Sequence, residues 1–318
     1  MIVIAGKVGR LANRLLLFAH FIGAAVEHGL VVVNPSLDEY ARYFPATARD
    51  ALCRFPPGRA LPPVRGSRRL LFDASSKAAD LLHRGRVAVD GVGLIRLDRR
   101  EQVDLDSAAF LEFVRGHRIV LVQDWFFRSA ADCERHRDVI RAYLTPRRAV
   151  LERACAAAAA ARSSGALVVG VHVRRGDYWR FLGGAFYYSH AQYRAILARV
   201  AAAFPDRDVA FLVCSDEPVP AGAFEGLDVH RGSGHELEDL FALASCDLII
   251  GPPSTFSGWA SFYGDVPLCV IDDPDLIPAP SSFEPDRGLV RCSARQYVAG
   301  AEPSRTPSIL AARPGTSG

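Results

Sequence analysis

From Ala166 to Ile271 the chain alternates short, almost continuously apolar runs with amphipathic stretches. The runs cover 166–174, 208–214, 227–230, 247–251 and 266–271, and helical patterns fill 190–203, 235–245 and 255–263. Strands that are apolar on both faces need cover on both sides. A parallel sheet with helices on its two faces provides it. The N-terminus repeats the theme: strand "MIVIAG", glycine-punctuated loop "GKVGR", helix "LANRLLLFAHFIGAAVEH", strand "GLVVVN". The chain is therefore expected to be α/β.

Between these blocks, "LTPRRAVLERACAAAAAARSSG" reads as a helix with Thr145 as N-cap and Pro146 in its first turn. A domain boundary is placed at this helix, giving an N-terminal α/β domain over 1–150 and a second over 151–298. The Pro-, Ser- and Gly-rich tail 299–318 is expected to be disordered. Residues 55–69 read as irregular surface chain, a helix is expected near Lys77–His83, and "RIVLVQDW" reads as a strand.

Composition narrows the partners. At 318 residues, half of them apolar and with net charge +3, the chain lacks the concentrated basic face that nucleic acid needs. Its seven cysteines are scattered singly, which signals neither a zinc site nor a disulfide framework and fits a reduced, cytoplasmic setting. No apolar run approaches the ~18 residues of a spanning helix. Strand character in "MIVIA" and the interruption at His20 argue against a signal peptide. Peripheral association with a membrane surface stays open.

Ligands of open parallel sheets bind at the carboxyl ends of the strands. Three polar clusters fall at such ends: "HVRRGDY", "CSDE" with Ser215 and Asp216, and "GPPSTFSGW". Arg174 and Arg175 offer planar, permanently charged forks suited to phosphate oxygens, and Gly176 lets the chain turn after them. An internal pairing with Asp177 is the plain structural alternative. His172 fits either a site or a hydrogen-bonded core position. Ser254 or Thr255 opens a helix whose N-terminus suits an anion, although capping alone would explain the hydroxyls. Asp239 lies in an acidic first helical turn, by default a solvated one. The loop "GKVGRLAN" lacks both phosphate-loop signatures. The pairs Asp104/Asp106 and Asp272/Asp273/Asp275 could imitate a metal motif, but carboxylate spacing alone underdetermines a cation site.

Together these residues resemble the α1,2-, α1,6- and protein O-fucosyltransferase superfamily. "VGVHVRRGDY" looks like its H-x-R-R-x-D motif, in the form found in bacterial α1,2-fucosyltransferases of family 11. "GRLAN" is similar to its N-terminal G-x-x-x-N-Q element, and "DLFALASCDLIIGPPSTFSGWASFYG" to its third motif. "AFYYSHAQYRAIL" looks like its tyrosine-rich helix, while 40–160 has no counterpart.

The resemblance implies a GT-B fold of two Rossmann-like halves and an inverting transfer of fucose from GDP-fucose to a glycan hydroxyl, galactose O2 in this subgroup. No metal or other cofactor would be needed. Arg174 would meet the β-phosphate, Arg175 and Asp177 would organise the site, and His172 would lie near the nucleoside. Ser215 and Asp216 would stand on the donor side and Asp239 would read guanine. Ser254, Thr255 and Phe256 would form the phosphate-binding helix start, while Gly9, Arg10 and Asn13 would face the donor. Arg174, Asp177 and His172 are the expected catalytic residues. Departures occur at Arg14 (Gln in the family), Gly258 (Trp) and "SDEPVP" (Ser-Asp-Asp-x-x-Trp).

Three alternatives remain open at this stage. They are another nucleotide sugar, a GDP-binding protein without catalysis, and an adhesion protein displaying Arg175-Gly176-Asp177.

Overall fold

A computed structural model describes residues 1–97, 101–162 and 166–289, with the strand at 309–310. The chain divides into two compact units, the first over Met1–Arg147 and the second beginning at Arg148. Each is an α/β sandwich built on a largely parallel sheet. Of the tail 299–318, only the strand is described. The rest of that expectation lies outside the described residues.

The first unit begins with β1 (Ile2–Ile4), α1 (Leu11–His28) and β2 (Val32–Val33). α2 (Pro45–Ala48), β3 (Arg54–Phe55), α3 (Ser67–His83) and β4 (Val92–Arg96) follow. β5 (Val103–Asp104), α4 (Ala108–Arg115), β6 (Ile119–Gln123), β7 (Phe127–Arg128), α5 (Ala130–Arg135) and α6 (Arg137–Tyr143) complete it. Strands β4, β6, β1 and β2 run parallel in that order. The antiparallel β3 closes one edge, and the late strand at Ile309–Leu310 lies antiparallel to β4 on the other. α1 spans the expected run because fourteen of its residues are buried, and Gly29 at φ 65° ends it. The expected irregular stretch 55–69 is corrected: its last residues begin α3, which is far longer than the helix expected near Lys77–His83. Only Ala79 of α3 is fully buried, so its apolar face is too sparse to stand out in sequence.

The second unit runs α7 (Arg148–Ala161), β8 (Leu167–Val173), α8 (His190–Ala202), β9 (Val209–Ser215) and β10 (Asp228–Arg231). Then come α9 (Glu236–Leu243), β11 (Leu248–Gly251), α10 (Thr255–Gly264) and β12 (Leu268–Val270). Thr145, ahead of α7, donates its hydroxyl to the Arg141 carbonyl at 2.7 Å, at the end of α6. All five strands are parallel, in the order β10-β9-β8-β11-β12. Succession runs outward from β8 through β9 to β10, then restarts on its other side with β11. The gap between β8 and β11 is thus the switch point at which open α/β sheets bind ligands.

Side-chain alternation on β8 assigns its two faces. Val169, Val171 and Val173 pack with Tyr193, Ile196 and Leu197 of α8. Gly170 lies on the other face, where a Cβ would fall 2.8 Å from Leu243 of α9. His172 shares that face by the same period. α8 starts from a capping box between Ser189 and Gln192. The ends of α9 and α10 meet so closely that a Cβ on Gly264 would stand 2.1 Å from the Ala244 carbonyl oxygen.

That backbone approach yields a stability prediction. Gly264→Ala forces α10 away from α9 and lowers stability by about 1–3 kcal/mol, as overpacking does. An unchanged urea-denaturation midpoint would contradict the packing described.

Candidate functional site at the carboxyl end of β8

The loop after β8 is organised around one carboxylate. Asp216, directly after β9, accepts hydrogen bonds from the backbone N–H groups of Arg175 (2.9 Å) and Gly176 (3.3 Å). Its other oxygen lies 3.0 Å from the Arg174 guanidinium. A Cβ on Gly176 would stand 2.5 Å from that oxygen, so the close approach requires glycine.

The two arginines are held differently. Arg175 is occupied at every nitrogen: Nε on Glu217, Nη1 on the Tyr188 carbonyl at 2.7 Å, and Nη2 on the Tyr187 hydroxyl at 2.6 Å. Arg174 pairs with Asp216 and with the exposed Asp177 (2.6 Å), lies over the Tyr178 ring, and keeps Nε without a partner among the described residues. Arg174 is therefore oriented yet still has donors to offer, whereas Arg175 braces the loop. Tyr178 ties this loop to the end of β11 by donating to the Pro253 carbonyl at 2.7 Å.

His172 bridges β8 to α10. Its Nδ1 lies 2.9 Å from the Ser257 hydroxyl, and its ring packs 4.8 Å from that of Phe256. Burial, with the Arg174 charge second, pushes its pKa down to about 3, so the ring is neutral at pH 7. That environment suits a positioning group better than a proton acceptor. Ser254 caps α10 by accepting from the Phe256 N–H at 3.2 Å, and Thr255 is buried beside it. Phosphate-sized anions favour such a helix start.

Ser215 serves the turn after β9: its hydroxyl donates to the Glu217 carbonyl at 2.8 Å. Asp239 is buried on α9 and accepts from the Ser233 N–H at 2.8 Å. It thereby shapes the turn 232–234, and burial raises its pKa. A Cβ on Gly232 would stand 2.5 Å from its carboxylate, another close approach.

Arg174, Arg175, Asp177, Asp216, His172, Ser254, Thr255 and Phe256 thus converge at the switch point of the second unit. Ser215 and Asp239 lie at the β9 end and on α9. Gly9, Arg10 and Asn13 belong to the first unit, at the carboxyl end of β1. There Gly9 turns at φ 55° with Asn13 folded against it, and Arg10 is exposed before α1. Sequence reasoning missed the bracing partners Glu217 and Tyr187. It had placed the acidic pair and the tyrosines near the site without pairing them to Arg175.

Two groups in the first unit have metal-ligand spacing: Glu27 with Asp132 and His136, and His28 with Asp106 and Asp132. Their side chains bind one another and Arg135, with His28 on Asp106 at 2.6 Å and Arg135 on Glu27 at 2.8 Å. Asp104 and Asp273, the other candidates, accept from the N–H groups two residues ahead. Among the described residues all six cysteines are free. No helix among them is long and apolar enough to cross a membrane.

No protein-family model matches this chain, and neither does any curated protein. Solved structures do match. An Arabidopsis thaliana FUT1 mutant in complex with GDP is 14% identical at a TM-score of 0.53, covering 89% of this chain and 73% of that one. The fucosyltransferase NodZ from Bradyrhizobium is 16% identical at a TM-score of 0.49, covering 87% and 97%. A NodZ α-1,6-fucosyltransferase soaked with GDP-fucose is 17% identical at 0.48, covering 87% and 97%. The chain therefore has a GT-B-like α/β fold, the fold of solved fucosyltransferases.

His172 supplies a pH prediction with a definite sign. Its folded pKa lies below its ordinary 6.5, so between those values the unfolded chain binds the extra proton. Its contribution to stability is complete above pH 6.5 and falls by about 1.4 kcal/mol per unit as pH drops toward 3. Urea titrations at pH 5 and 6 should show a slope in the wild type that is smaller by about that amount in His172→Gln, buried His20, whose pKa is likewise pushed down to about 3, keeping its own share. Equal slopes would refute the buried, neutral histidine.

Proposed function

We propose that this chain is a glycosyltransferase that takes fucose from GDP-fucose and passes it, with inversion, to a glycan hydroxyl, galactose O2 being the acceptor position. One observation carries the reading. Two arginines end the central strand β8 at the switch point, one braced and one presented, beside the N-terminus of α10. That arrangement suits a diphosphate. The likeness of fold to fucosyltransferase structures and the H-x-R-R-x-D resemblance support the same donor.

In this mechanism the acceptor oxygen bonds to fucose C1 and yields its proton to solvent water, while the bond from C1 to the β-phosphate oxygen breaks and its electron pair stays on GDP. Arg174 and the α10 N-terminus meet that developing charge as donors oriented before the reaction begins. Such stabilisation asks for no metal ion. Asp216 and Asp177 hold Arg174 in place. Arg175 acts through the loop. His172 and Phe256 form a flat wall beside the phosphates, and the nucleoside lies toward the turn that Asp239 holds.

The adhesion alternative loses ground on geometry. Arg175 is engaged at all three nitrogens and Asp177 is paired with Arg174, so the tripeptide is not offered as a free loop.

Arg174→Ala should lower the rate of GDP release from GDP-fucose by about 10²–10³-fold, the loss typical of one oxyanion-type donor. Arg174→Lys should recover only part, because an ammonium cannot reproduce the fork. A wild-type protein that fails to bind GDP at millimolar concentration would refute the donor assignment.

A further inference from the structure

The described residues leave twelve large apolar side chains exposed, and six of them fall within residues 61–89 of the first unit: Leu61, Val64, Leu70, Leu81, Val87 and Val89. Val64 is 75% exposed and Leu70 69%. These residues lie on α3 and on the two segments that flank it.

The helical period divides α3 into two sides. Arg68, Phe72, Ala79 and Leu82 recur along the inner one. Arg68 Nη2 donates to the Thr47 and Ala48 carbonyls at 2.9 and 2.7 Å, and the Phe72 ring lies under the Lys7 ammonium at 4.6 Å. Ala79 and Leu82 join the core of Leu52, Leu94 and Leu121. The opposite side carries Leu70, Ala74, Lys77, Ala78 and Leu81, and all five are exposed. Their spacing, i, i+4, i+7, i+8 and i+11, is the kind of stripe a helix normally turns toward a core. Here a core already holds the other side. The approach to α3 is pinned as well. Leu61 donates its N–H to Asp50 at 3.1 Å and accepts from the Ala51 N–H at 2.7 Å, and the Val64 carbonyl accepts from the Ser67 hydroxyl at 2.7 Å.

Charge selects what covers this surface. Residues 59–86 hold seven Lys and Arg against two Asp, in a chain whose net charge is only +3. Both carboxylates have an arginine beside them: Asp73 lies 3.9 Å from Arg69, and Asp80 2.9 Å from Arg96 of β4. Arg59, Arg65, Arg69, Lys77, Arg84 and Arg86 are all exposed. Nucleic acid would use these cations and leave the leucines and valines idle. The segment's one Phe, Tyr or Trp, Phe72, is taken by Lys7, so bases find no ring to stack on. Aliphatic side chains set among arginines fit an anionic bilayer. The chains enter the acyl boundary while the guanidiniums meet headgroup phosphates.

We propose that α3 and its flanks seat this chain on an anionic lipid surface, with the helix lying in the headgroup plane. The seat belongs to the first unit alone and does not depend on which donor the second unit takes.

The test is sedimentation of the full chain with sucrose-loaded vesicles of phosphatidylglycerol and phosphatidylcholine, and of phosphatidylcholine alone. The wild type should sediment with the anionic vesicles, stay in the supernatant with the neutral ones, and be released by high salt. Leu70→Gln/Leu81→Gln and Arg84→Gln/Arg86→Gln should each weaken partitioning by about tenfold or more. Both change exposed side chains, so both should melt with the wild type. A wild type that does not distinguish the two vesicles overturns the proposal. So does a leucine variant that binds anionic vesicles like the wild type, since that result marks a general polyanion surface.

Discussion

The Asp216 carboxylate is the interaction on which the second unit's site depends. Two adjacent arginines at the end of a buried strand repel each other, and each would lose solvation if left unpaired. Asp216 answers both problems from one position. It neutralises Arg174, and it fastens the Arg175–Gly176 backbone with charge-assisted bonds of the stronger kind. The position follows from topology: register pairs Val173 with Ser215, so the residues that follow β8 and β9 emerge side by side. Only glycine fits where the loop then crosses the carboxylate. The Arg-Gly sequence is thus a packing requirement set by the neighbouring strand.

Legibility followed burial. In the second unit, strands covered on both faces must be apolar at nearly every position. Their ends accordingly fall within a residue or two of the expected ones. The first unit mixes edge and half-covered pieces. Two-residue strands such as β5 and β7 carry no period to read, and α3 shows the solvent most of its surface. At the site, residue types announced a cluster of anion-binding donors, but pairing was invisible. Nothing in "HVRRGDY" says that Arg175 is consumed by Glu217, Tyr188 and Tyr187 while Arg174 keeps a free donor.

The departures from the fucosyltransferase pattern take on a different meaning once placed. In sequence they interrupt the motifs that carry the resemblance. Arg14 is buried on α1 and anchors the segment after β2 through the Ser36 carbonyl and Glu39. Gly258 and Trp259 are both buried inside α10, with Trp259 packed against Phe262 and Tyr263. These positions hold secondary structure in place. Their replacement implies repacking beneath the sheet ends. Glu217 is the exception, because it touches a member of the motif directly. Its side chain is longer by one methylene than the aspartate of the pattern and reaches Arg175 across the loop. The pairing lets Arg175 be satisfied by protein alone, which leaves Arg174 as the arginine of the pair with a donor to spare.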